Sequence, residues 1–312
     1  MNVLSLFDGI SCGRVALERA GIQIDKYYAS EIDNTASAIS EKNYKDIIRL
    51  GDVTKWREWE LSKIDLLIGG SPCQGFSRAG IGLNFEDSRS KLFFTYVDIL
   101  NDVRKKNPDV LFLLENVAMK KEWEDVITEY LGVEPIKINS KLLSAQHRER
   151  IYWTNIPIRE LVEDKKIMLA DILEDVSIEG YIETDGLLFD PTISEASRNL
   201  ISVIDGEVRV KQAVKKGYIV AESGDGVNLA FPGSTSRRGR VIKGKSSTLD
   251  CVCNLCVHHN GVIRRYTLTE LEKLQTLPAG YTEGVSDSAR RKAIGNGWTV
   301  DVIAHIFSGM KG

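Results

Sequence analysis

A cysteine between glycines is the first candidate for chemistry in this sequence. Cys73 follows Pro72 in the segment Ser-Pro-Cys-Gln, and glycines lie on both sides of this segment. Most cysteines pack in the core as small apolar residues, but surrounding glycines favour a loop that another molecule approaches closely. A thiol on such a loop can act as a nucleophile when a neighbouring group activates it. We therefore predict that Cys73 is a nucleophile.

A carboxylate and two arginines lie where they could assist such a nucleophile. Glu115 follows a buried apolar run at residues 110–114, so its side chain can face the same cleft and donate a proton. Arg148 and Arg150 precede an Ile-Tyr-Trp strand, and side chains two positions apart in a strand share a face. One arginine can reach a substrate oxygen, and both can contact phosphate. The alternatives are a helix-capping glutamate and a solvated charged edge.

The first predicted turn has features of a nucleoside-binding site. Phe7-Asp-Gly-Ile-Ser-Cys-Gly13 holds only two of the three glycines of a dinucleotide fingerprint, so a plain strand-to-helix turn is the alternative. Glu31 lies about 20 residues further on, where a carboxylate can accept hydrogen bonds from both ribose hydroxyls. Asp52 occupies the next such turn, within reach of an adenine amino group. Because no P-loop lysine accompanies the turn, we predict a cofactor without phosphates.

A parallel α/β sheet would bring these residues together. Residues 1 to about 155 alternate short apolar runs with amphipathic stretches, and ligands of such sheets bind beyond the carboxyl ends of the strands. Residues 158–263 instead have glycines, Ser/Thr clusters and short alternating segments, which predict an irregular β-rich second domain beside a first domain of residues 1–157 and 264–312. We predict strands at 3–7, 27–30, 65–68 and 110–114, and helices near 13–20 and 36–43, from 267, and at 298–307.

Composition limits the class of protein. The 312 residues are 43% hydrophobic and 27% charged, which is typical of a globular chain and excludes a disordered or collagen-like one. The net charge of −3 argues against nucleic-acid binding by bulk charge and leaves a local basic face open. No apolar run approaches the roughly 18 residues of a membrane span, and no secretion signal is recognisable, so we expect a cytoplasmic protein without membrane partners.

The remaining cysteines suggest no metal site. An odd number of cysteines, five, in a chain without a secretion signal predicts no disulfide framework. Cys251-x-Cys-x-x-Cys256 fits no common zinc finger, and the alternation at residues 251–253 suits a buried strand equally well.

Together, the motifs resemble those of the cytosine-C5 DNA methyltransferase family, in order from residue 3 to residue 307. The corresponding segments are the cofactor turn Phe7-Asp-Gly, the nucleophile loop Gly-Ser-Pro-Cys73-Gln, the acid motif Glu115-Asn-Val, the arginine motif Gln146-x-Arg-x-Arg150, the late motif Arg265-x-Leu-Thr-x-x-Glu270 with Leu-Gln-Thr-Leu-Pro, and the final motif Ile294-Gly-Asn-Gly-Trp-Thr-Val. The nucleophile, acid and arginine motifs at this order and spacing are highly specific.

The resemblance implies a Rossmann-like sheet that binds S-adenosyl-L-methionine and releases S-adenosyl-L-homocysteine, with residues 158–263 as the target-recognition domain. It implies that Cys73 adds to C6 of a cytosine flipped out of double-stranded DNA. Glu115 would bind N3 and N4 and supply a proton, and Arg150 would hold O2 with Arg148 in support. C5 then takes the methyl group, and loss of its proton and of Cys73 gives 5-methylcytosine.

The resemblance also implies binding residues. The implied cofactor contacts are Phe7, Asp8, Gly9, Glu31, Ile32, Asp52, Val53, Pro72, Leu92, Asn296 and Trp298. The implied DNA contacts are Ser77 and Arg78, together with the five basic residues between 237 and 245, namely Arg237, Arg238, Arg240, Lys243 and Lys245.

The same residues bear on three alternative functions. Amino-methyltransferases carry a Pro-Pro-aromatic loop, whereas here Pro72 is followed by Cys73, which excludes them. An RNA methyltransferase of the same fold stays open, although the large second domain favours DNA. An inactive DNA-binding partner usually lacks the cysteine or the acid, and both are present. Motif details such as Trp298 resemble those of animal de novo enzymes, but the short chain suggests a bacterial or phage enzyme. A second copy of the chain, in a homodimer, and a cognate restriction endonuclease are further expected partners.

Overall fold

The structure, a computed structural model, describes residues 1–71, 91–158, 162–252 and 254–311. In these ranges seven strands form one large sheet: β1 (Asn2–Leu6), β2 (Lys26–Ser30), β3 (Ile48–Arg49), β4 (Leu66–Gly70), β5 (Leu111–Val117), β6 (Ile136–Asn139) and β7 (Glu149–Thr154). They lie in the order β3-β2-β1-β4-β5-β7-β6. The first five run parallel, whereas β7 is antiparallel to both of its neighbours. The α/β class predicted from the sequence is confirmed.

Helices cover both faces of this sheet. The helices of the described residues are α1 (Cys12–Arg19), α2 (Asn34–Asn43), α3 (Lys91–Lys106), α4 (Lys121–Leu131), α5 (Glu195–Arg198), α6 (Leu268–Leu274), α7 (Asp287–Asn296) and α8 (Val300–Ser308). Apolar residues of α1, α2 and α8 enter one core, and those of α3 and α4 enter another. Val3 and Leu4 fall in different cores, because successive strand side chains point to opposite faces.

The predicted strands and helices of the large sheet agree with the structure to within three residues at each end. The main difference lies in β5, which runs on through Glu115 to Val117 instead of ending before the acid. The antiparallel pairing with β7 extends this strand, since Glu115 pairs with Tyr152 and Val117 with Arg150. Glu115 is therefore held inside a strand.

Two smaller sheets follow in the described part of the chain. Their strands are β8 (Ile182–Thr184), β9 (Leu187–Phe189), β10 (Ile201–Ile204), β11 (Glu207–Lys211), β12 (Tyr218–Val220), β13 (Asp225–Asn228), β14 (Arg240–Ile242), β15 (Cys256–His259) and β16 (Val262–Arg265). One sheet has the order β10-β11-β12 and the other β14-β13-β15-β16-β9-β8. Buried residues of both sheets, such as Val210 and Val227, share one core. Short alternating segments were predicted for this part of the chain, and those near 206–210 and 217–220 are present as β11 and β12.

The interpretation of residues 251–253 as a buried strand is wrong where the structure describes them. Cys251 and Val252 are exposed, and β15 begins only at Cys256, which is buried. The Cys251 thiol turns to the end of α7 and lies 2.9 Å from Oδ1 of Asn296. Within the described residues there is no group of three His, Cys, Asp or Glu side chains placed to hold a metal ion, and Cys253 lies outside them. No helix in the described ranges is both long and apolar enough to cross a lipid bilayer.

A buried ion pair joins the small six-stranded sheet to α6. Arg264 of β16 is 2% exposed and donates from Nη1 and Nη2 to the two carboxylate oxygens of Glu270, at 2.8 and 2.7 Å. Glu270 also accepts from the backbone N–H of Thr267, the N-cap of α6, and from that of Glu174. The neighbouring Arg265, with which the late motif begins, donates instead to the Thr192 carbonyl and to Asn254.

Replacing Glu270 with Gln should strongly destabilise the protein, because the Arg264 guanidinium would stay buried without a counter-ion. We expect the free energy of unfolding to fall by about 3–5 kcal/mol in urea titrations. Glu283→Gln is the matched control, since Glu283 pairs with Lys42 at 3.4 Å on the surface and should cost less than about 1 kcal/mol. Equal effects of the two substitutions would contradict the assignment.

Candidate active site

The turn between β1 and α1 adopts a strained conformation that a partly buried carboxylate holds in place. Phe7, Gly9 and Ser11 have φ values of +56°, +59° and +60°. Only glycine adopts such values readily, and strain of this kind persists where the surroundings impose it. The Asp8 carboxylate accepts hydrogen bonds from Ser5 at 2.6 Å, from Tyr27 at 2.8 Å and from Ser11. Its enclosure by the protein raises the pKa of Asp8.

Glu31 connects this turn to the loop after β2 through hydrogen bonds. Its Oε2 accepts the N–H of Gly9 at 2.8 Å, and its Oε1 accepts the N–H groups of Ile32 and Asp33, both at 2.8 Å. A carboxylate offers about four lone-pair sites, so Oε2 can still accept a hydroxyl. Ile32 beside it is 75% exposed and offers an apolar surface. The two residues could thus bind the ribose and one face of a base.

The described carboxylates near the turn suit a cationic ligand. Asp8, Glu31 and Asp52 follow the carboxyl ends of the three adjacent strands β1, β2 and β3. Asp52 accepts hydrogen bonds from the N–H and the hydroxyl of Thr54, which lower the pKa of its carboxyl. Negative charges in this row would repel phosphate and attract a sulfonium. These residues therefore fit a nucleoside that carries a sulfonium group.

Three other predicted cofactor residues lie against one core. Phe7 and Leu92 are partly buried against it, and Val53 is a buried member of it. This core lies on the α3 face of the sheet. These three apolar side chains could form the floor of a site at the carboxyl ends of the strands. They would not make polar contacts with a ligand.

The predicted acid and one predicted arginine form an ion pair. Oε1 of Glu115 lies 2.9 Å from Nε of Arg150 on the adjacent strand β7, although this N–H is not directed along a hydrogen bond. Oε2 of Glu115 accepts the indole N–H of Trp298 at 3.1 Å. Glu115 is 9% exposed, and a charge with so little access to water needs partners of this kind. The structure thus brings together the predicted acid, one predicted arginine and one predicted cofactor residue.

The residue after Glu115 reaches the start of the predicted nucleophile loop. Asn116 is buried and donates from Nδ2 to Oγ of Ser71 at 3.2 Å. Ser71 directly follows β4 and is the last described residue before Pro72 and Cys73. Sequence reasoning did not assign a role to Asn116, although its place in the Glu-Asn-Val motif was a usable signal. The predicted residues Pro72, Cys73, Ser77 and Arg78 lie outside the described residues.

Arg148 has a different environment from Arg150. It is 4% exposed, and its guanidinium donates to the carbonyls of Leu249 at 3.1 Å, Gly297 at 3.1 Å and Gly295 at 3.4 Å. Burial lowers the pKa of Arg148 to about 10. The prediction that it can contact phosphate is wrong, because its donors are used inside the protein. Arg148 supports the site by fixing the segment that carries Trp298.

Gln275 fixes the same segment from the other side. Its side chain is fully buried and donates to the carbonyls of Ile294 at 2.9 Å and Gly297 at 3.1 Å, while Thr299 donates to its Oε1 at 2.9 Å. Sequence reasoning placed Gln275 in a structural motif without a function. A buried glutamine needs several partners, and the segment between α7 and α8 supplies them.

The basic residues near position 240 divide into two sets. Arg237 and Arg240 are exposed and Arg238 is partly exposed, and the guanidinium of Arg237 lies 4.6 Å from the ring centroid of Phe231. The two lysines already have partners within the protein, although Lys243 is exposed. Lys243 pairs with Asp225 at 2.8 Å and Glu222 at 2.9 Å.

Lys245 corrects the prediction of five phosphate contacts. It donates to three backbone carbonyls, those of Lys141 at 2.9 Å, Ser144 at 3.0 Å and Ile167 at 2.5 Å. Because an ammonium group has three N–H donors, none remains for a phosphate. The prediction for Lys245 therefore does not hold, whereas Lys243 is exposed and its phosphate contact stays a prediction.

Comparison with known proteins identifies relatives along the whole chain. The family model for C-5 cytosine-specific DNA methylase matches residues 1–312. The chain is 36% identical over 194 residues to the orphan methyltransferase M.Rho11sI of Bacillus phage rho11s, a match that covers 58% of this chain and 37% of that protein. It is 29% identical over 328 residues to the type II methyltransferase M.HpaII of Haemophilus parainfluenzae, covering 96% and 86% of the two chains. The matches to M.Rho11sI and to M.SPRI of Bacillus phage SPR span less than half of those phage proteins, 37% and 43%.

Solved structures share this fold. The Entamoeba histolytica methyltransferase EhMeth superimposes with a TM-score of 0.63 at 17% identity, covering 99% of this chain and 97% of that one. A DNMT2 mutant from Spodoptera frugiperda gives a TM-score of 0.61 at 16% identity, covering 100% and 99%. At these identities the likeness establishes the fold.

Arg148→Met should destabilise the protein, because the carbonyls of Leu249 and Gly295 would lose this buried donor and that of Gly297 would keep only the one from Gln275. Each buried group left without a partner costs about 1–3 kcal/mol, so we expect a loss of about 2–4 kcal/mol in urea titrations. Arg57→Met is the control, since Arg57 is 70% exposed and lies 3.8 Å from Asp98, and should cost less than about 1 kcal/mol. A small effect at Arg148 would show that the segment is held by other contacts.

Proposed function

Because the chain belongs to the C-5 cytosine-specific DNA methylase family, we propose that it methylates C5 of cytosine in double-stranded DNA with S-adenosyl-L-methionine as donor. The observation that carries this proposal is the ion pair of Glu115 and Arg150, beside the strand end that leads to Cys73. Asn116 connects the two parts, since it bonds to Ser71, two positions before Cys73. An acid and a cation lie at the sheet edge from which the chain runs on to a cysteine, and these are the groups that covalent methyl transfer to a pyrimidine requires.

The proposed chemistry activates C5, which is otherwise too weak a nucleophile to take a methyl group. The Cys73 thiolate forms a bond to C6, and the ring accepts the displaced electron pair as Glu115 supplies a proton at N3 and binds N4. Arg150 holds the O2 oxygen. When bound, S-adenosyl-L-methionine would supply an electrophilic methyl group to C5 and would leave as S-adenosyl-L-homocysteine. Water would take the C5 proton, and N3 would return its proton to the Glu115 carboxylate. Expulsion of the Cys73 thiolate would then restore the aromatic ring and give 5-methylcytosine.

The donor would lie across the carboxyl ends of β1, β2 and β3. Glu31 would bind the ribose hydroxyls, Ile32 would contact the adenine ring, and Asp52 would accept from the adenine amino group. Asp8 would act through the turn that it holds, since its carboxylate is directed inward. The remaining proposed contacts are Phe7, Gly9, Val53, Pro72, Leu92, Asn296 and Trp298.

The second domain, residues 158–263, would hold the DNA. Flipping a cytosine out of the duplex costs a few kcal/mol, which contacts elsewhere on the DNA must offset. The exposed arginines Arg237 and Arg240, with the partly exposed Arg238, are the proposed phosphate contacts of this domain. Ser77 and Arg78, which follow Cys73 in the sequence by four and five positions, are also proposed to contact DNA.

The proposed activity is tested by transfer of labelled methyl from S-adenosyl-L-methionine to duplex DNA and, separately, to transfer RNA. We expect the wild-type protein to label DNA cytosine, and we expect Cys73→Ala to abolish this while still binding the donor in calorimetry. Glu115→Gln should lower the rate by about 10²–10⁴-fold, the usual contribution of a positioned acid.

Three other results would contradict this proposal in different ways. Label on RNA alone would assign the protein to RNA methylation. No transfer to either nucleic acid, with donor binding intact, would indicate a non-catalytic DNA-binding protein. Full activity of Cys73→Ala would exclude the covalent route.

The proposed DNA contacts are tested by the salt dependence of DNA binding. Changing Arg237, Arg238 and Arg240 to Gln should reduce the slope of log K against log salt by up to about 0.9 for each lost phosphate contact. The matched control changes three exposed lysines outside the second domain, Lys55, Lys105 and Lys106, to Gln and alters the net charge equally. The same slope in both triple variants would exclude a local contact.

A further inference from the structure

The indole of Trp298 lies between the turn after β1 and the acid. Its Nε1–H donates to Oε2 of Glu115 at 3.1 Å. The other side of the ring system faces the start of α1, where its Cζ3 lies 3.4 Å from the position that a Cβ on Gly13 would take. The second carboxylate oxygen of Glu115 lies 2.9 Å from Nε of Arg150. One oxygen of the acid thus accepts a hydrogen bond from Trp298, and the other lies in an ion pair with Arg150.

We propose that Trp298 is a positioning residue for Glu115 in the methyl transfer proposed above, in addition to any contact with the donor. The terminal torsion of a glutamate is broad, so a single partner leaves the orientation of its carboxylate loosely defined. The charge of Arg150 attracts one oxygen without fixing its direction, so the directional hydrogen bond from Trp298 would set the plane of the carboxylate. This inference rests on the proposed function, because it assigns Trp298 a role in the same reaction.

The backbone that carries Trp298 is itself held rigidly. The carbonyl of Gly297 accepts hydrogen bonds from Arg148 and Gln275, both at 3.1 Å. The hydroxyl of Thr299 bonds to Gln275 and to Ser140, both at 2.9 Å. Residues on each side of Trp298 are therefore fixed, so the direction of its indole N–H is set by buried hydrogen bonds.

A glycine leaves the space that this contact needs. A Cβ on Gly70 would lie 3.0 Å from Oε2 of Glu115 and 3.0 Å from Nε1 of Trp298. Both distances are shorter than ordinary contacts, so a methyl group here would have to displace one of the two side chains. Gly70 has no positive φ that would by itself call for glycine. The close approach of the tryptophan and the acid accounts for a glycine at the end of β4.

Trp298→Phe tests the inference, because it keeps an aromatic ring and removes the N–H donor. We expect kcat for DNA methylation to fall about 10- to 100-fold, as for small misplacements of a reacting group. The KM for S-adenosyl-L-methionine and the midpoint of urea unfolding should change little. A higher KM with unchanged kcat, or a loss of stability that accounts for the lower rate, would overturn the inference.

A double-mutant cycle separates action through Glu115 from independent action. Trp298→Phe should have little further effect on kcat in a Glu115→Gln background, because its target is already altered. Multiplicative effects would contradict the positioning role. Gly70→Ala, which disturbs the same contact from β4, should lower kcat in the same way.

A measurement without catalysis completes the test. The indole N–H resonance of Trp298, identified by its loss in Trp298→Phe, should shift in Glu115→Gln, and an unchanged resonance would overturn the contact. Wild-type protein that transfers no methyl group would overturn the proposed function and this inference with it. Full activity of Trp298→Phe would overturn the inference alone.

Discussion

The antiparallel pairing of β7 with β5 is the constraint on which the rest of the site depends. The register places Arg150 opposite Val117 and Tyr152 opposite Glu115, so the guanidinium reaches the carboxylate from the neighbouring strand. A nearly buried carboxylate needs such a partner, because an unpaired charge there would be costly. The same pairing extends β5 past its apolar run and holds the acid in a strand, at the edge of the sheet where ligands of α/β proteins bind.

A second constraint is the buried guanidinium of Arg148. It has backbone carbonyls as partners, and these belong to the loop at Leu249 and to the end of α7. Together with Gln275 it determines where the chain turns before α8, which then packs against α1 on one face of the large sheet. Residues from the carboxyl-terminal part of the chain thereby complete a site that the amino-terminal strands begin. The position of Trp298 next to Glu115 is a consequence of this arrangement.

The turn after β1 combines features that each cost stability. Two non-glycine residues have positive φ, and carboxylates follow three adjacent strands. Hydrogen bonds offset these costs, since Asp8 and Glu31 together accept from three hydroxyls and three backbone N–H groups. A strained, acidic turn that the protein stabilises in this way is typical of a binding site, and its charge is suited to a sulfonium rather than to a phosphate.

The sequence by itself determined the strands β1, β2, β4 and β5 and the helices next to them in the chain, α1 and α2, because apolar periodicity and turn residues act over short stretches of chain. The motifs pointed to Glu115 and Arg150. Only the tertiary structure decided which basic residues are available. Arg148 and Arg150 look alike in sequence, yet one binds carbonyls from residues 249–297 and the other binds the acid. Lys245 likewise donates hydrogen bonds to carbonyls about a hundred residues away in the sequence, and Trp298 donates one to Glu115, from which it is separated by 183 residues. Partners at such separations depend on how the sheets and helices pack, which no local pattern of residues encodes.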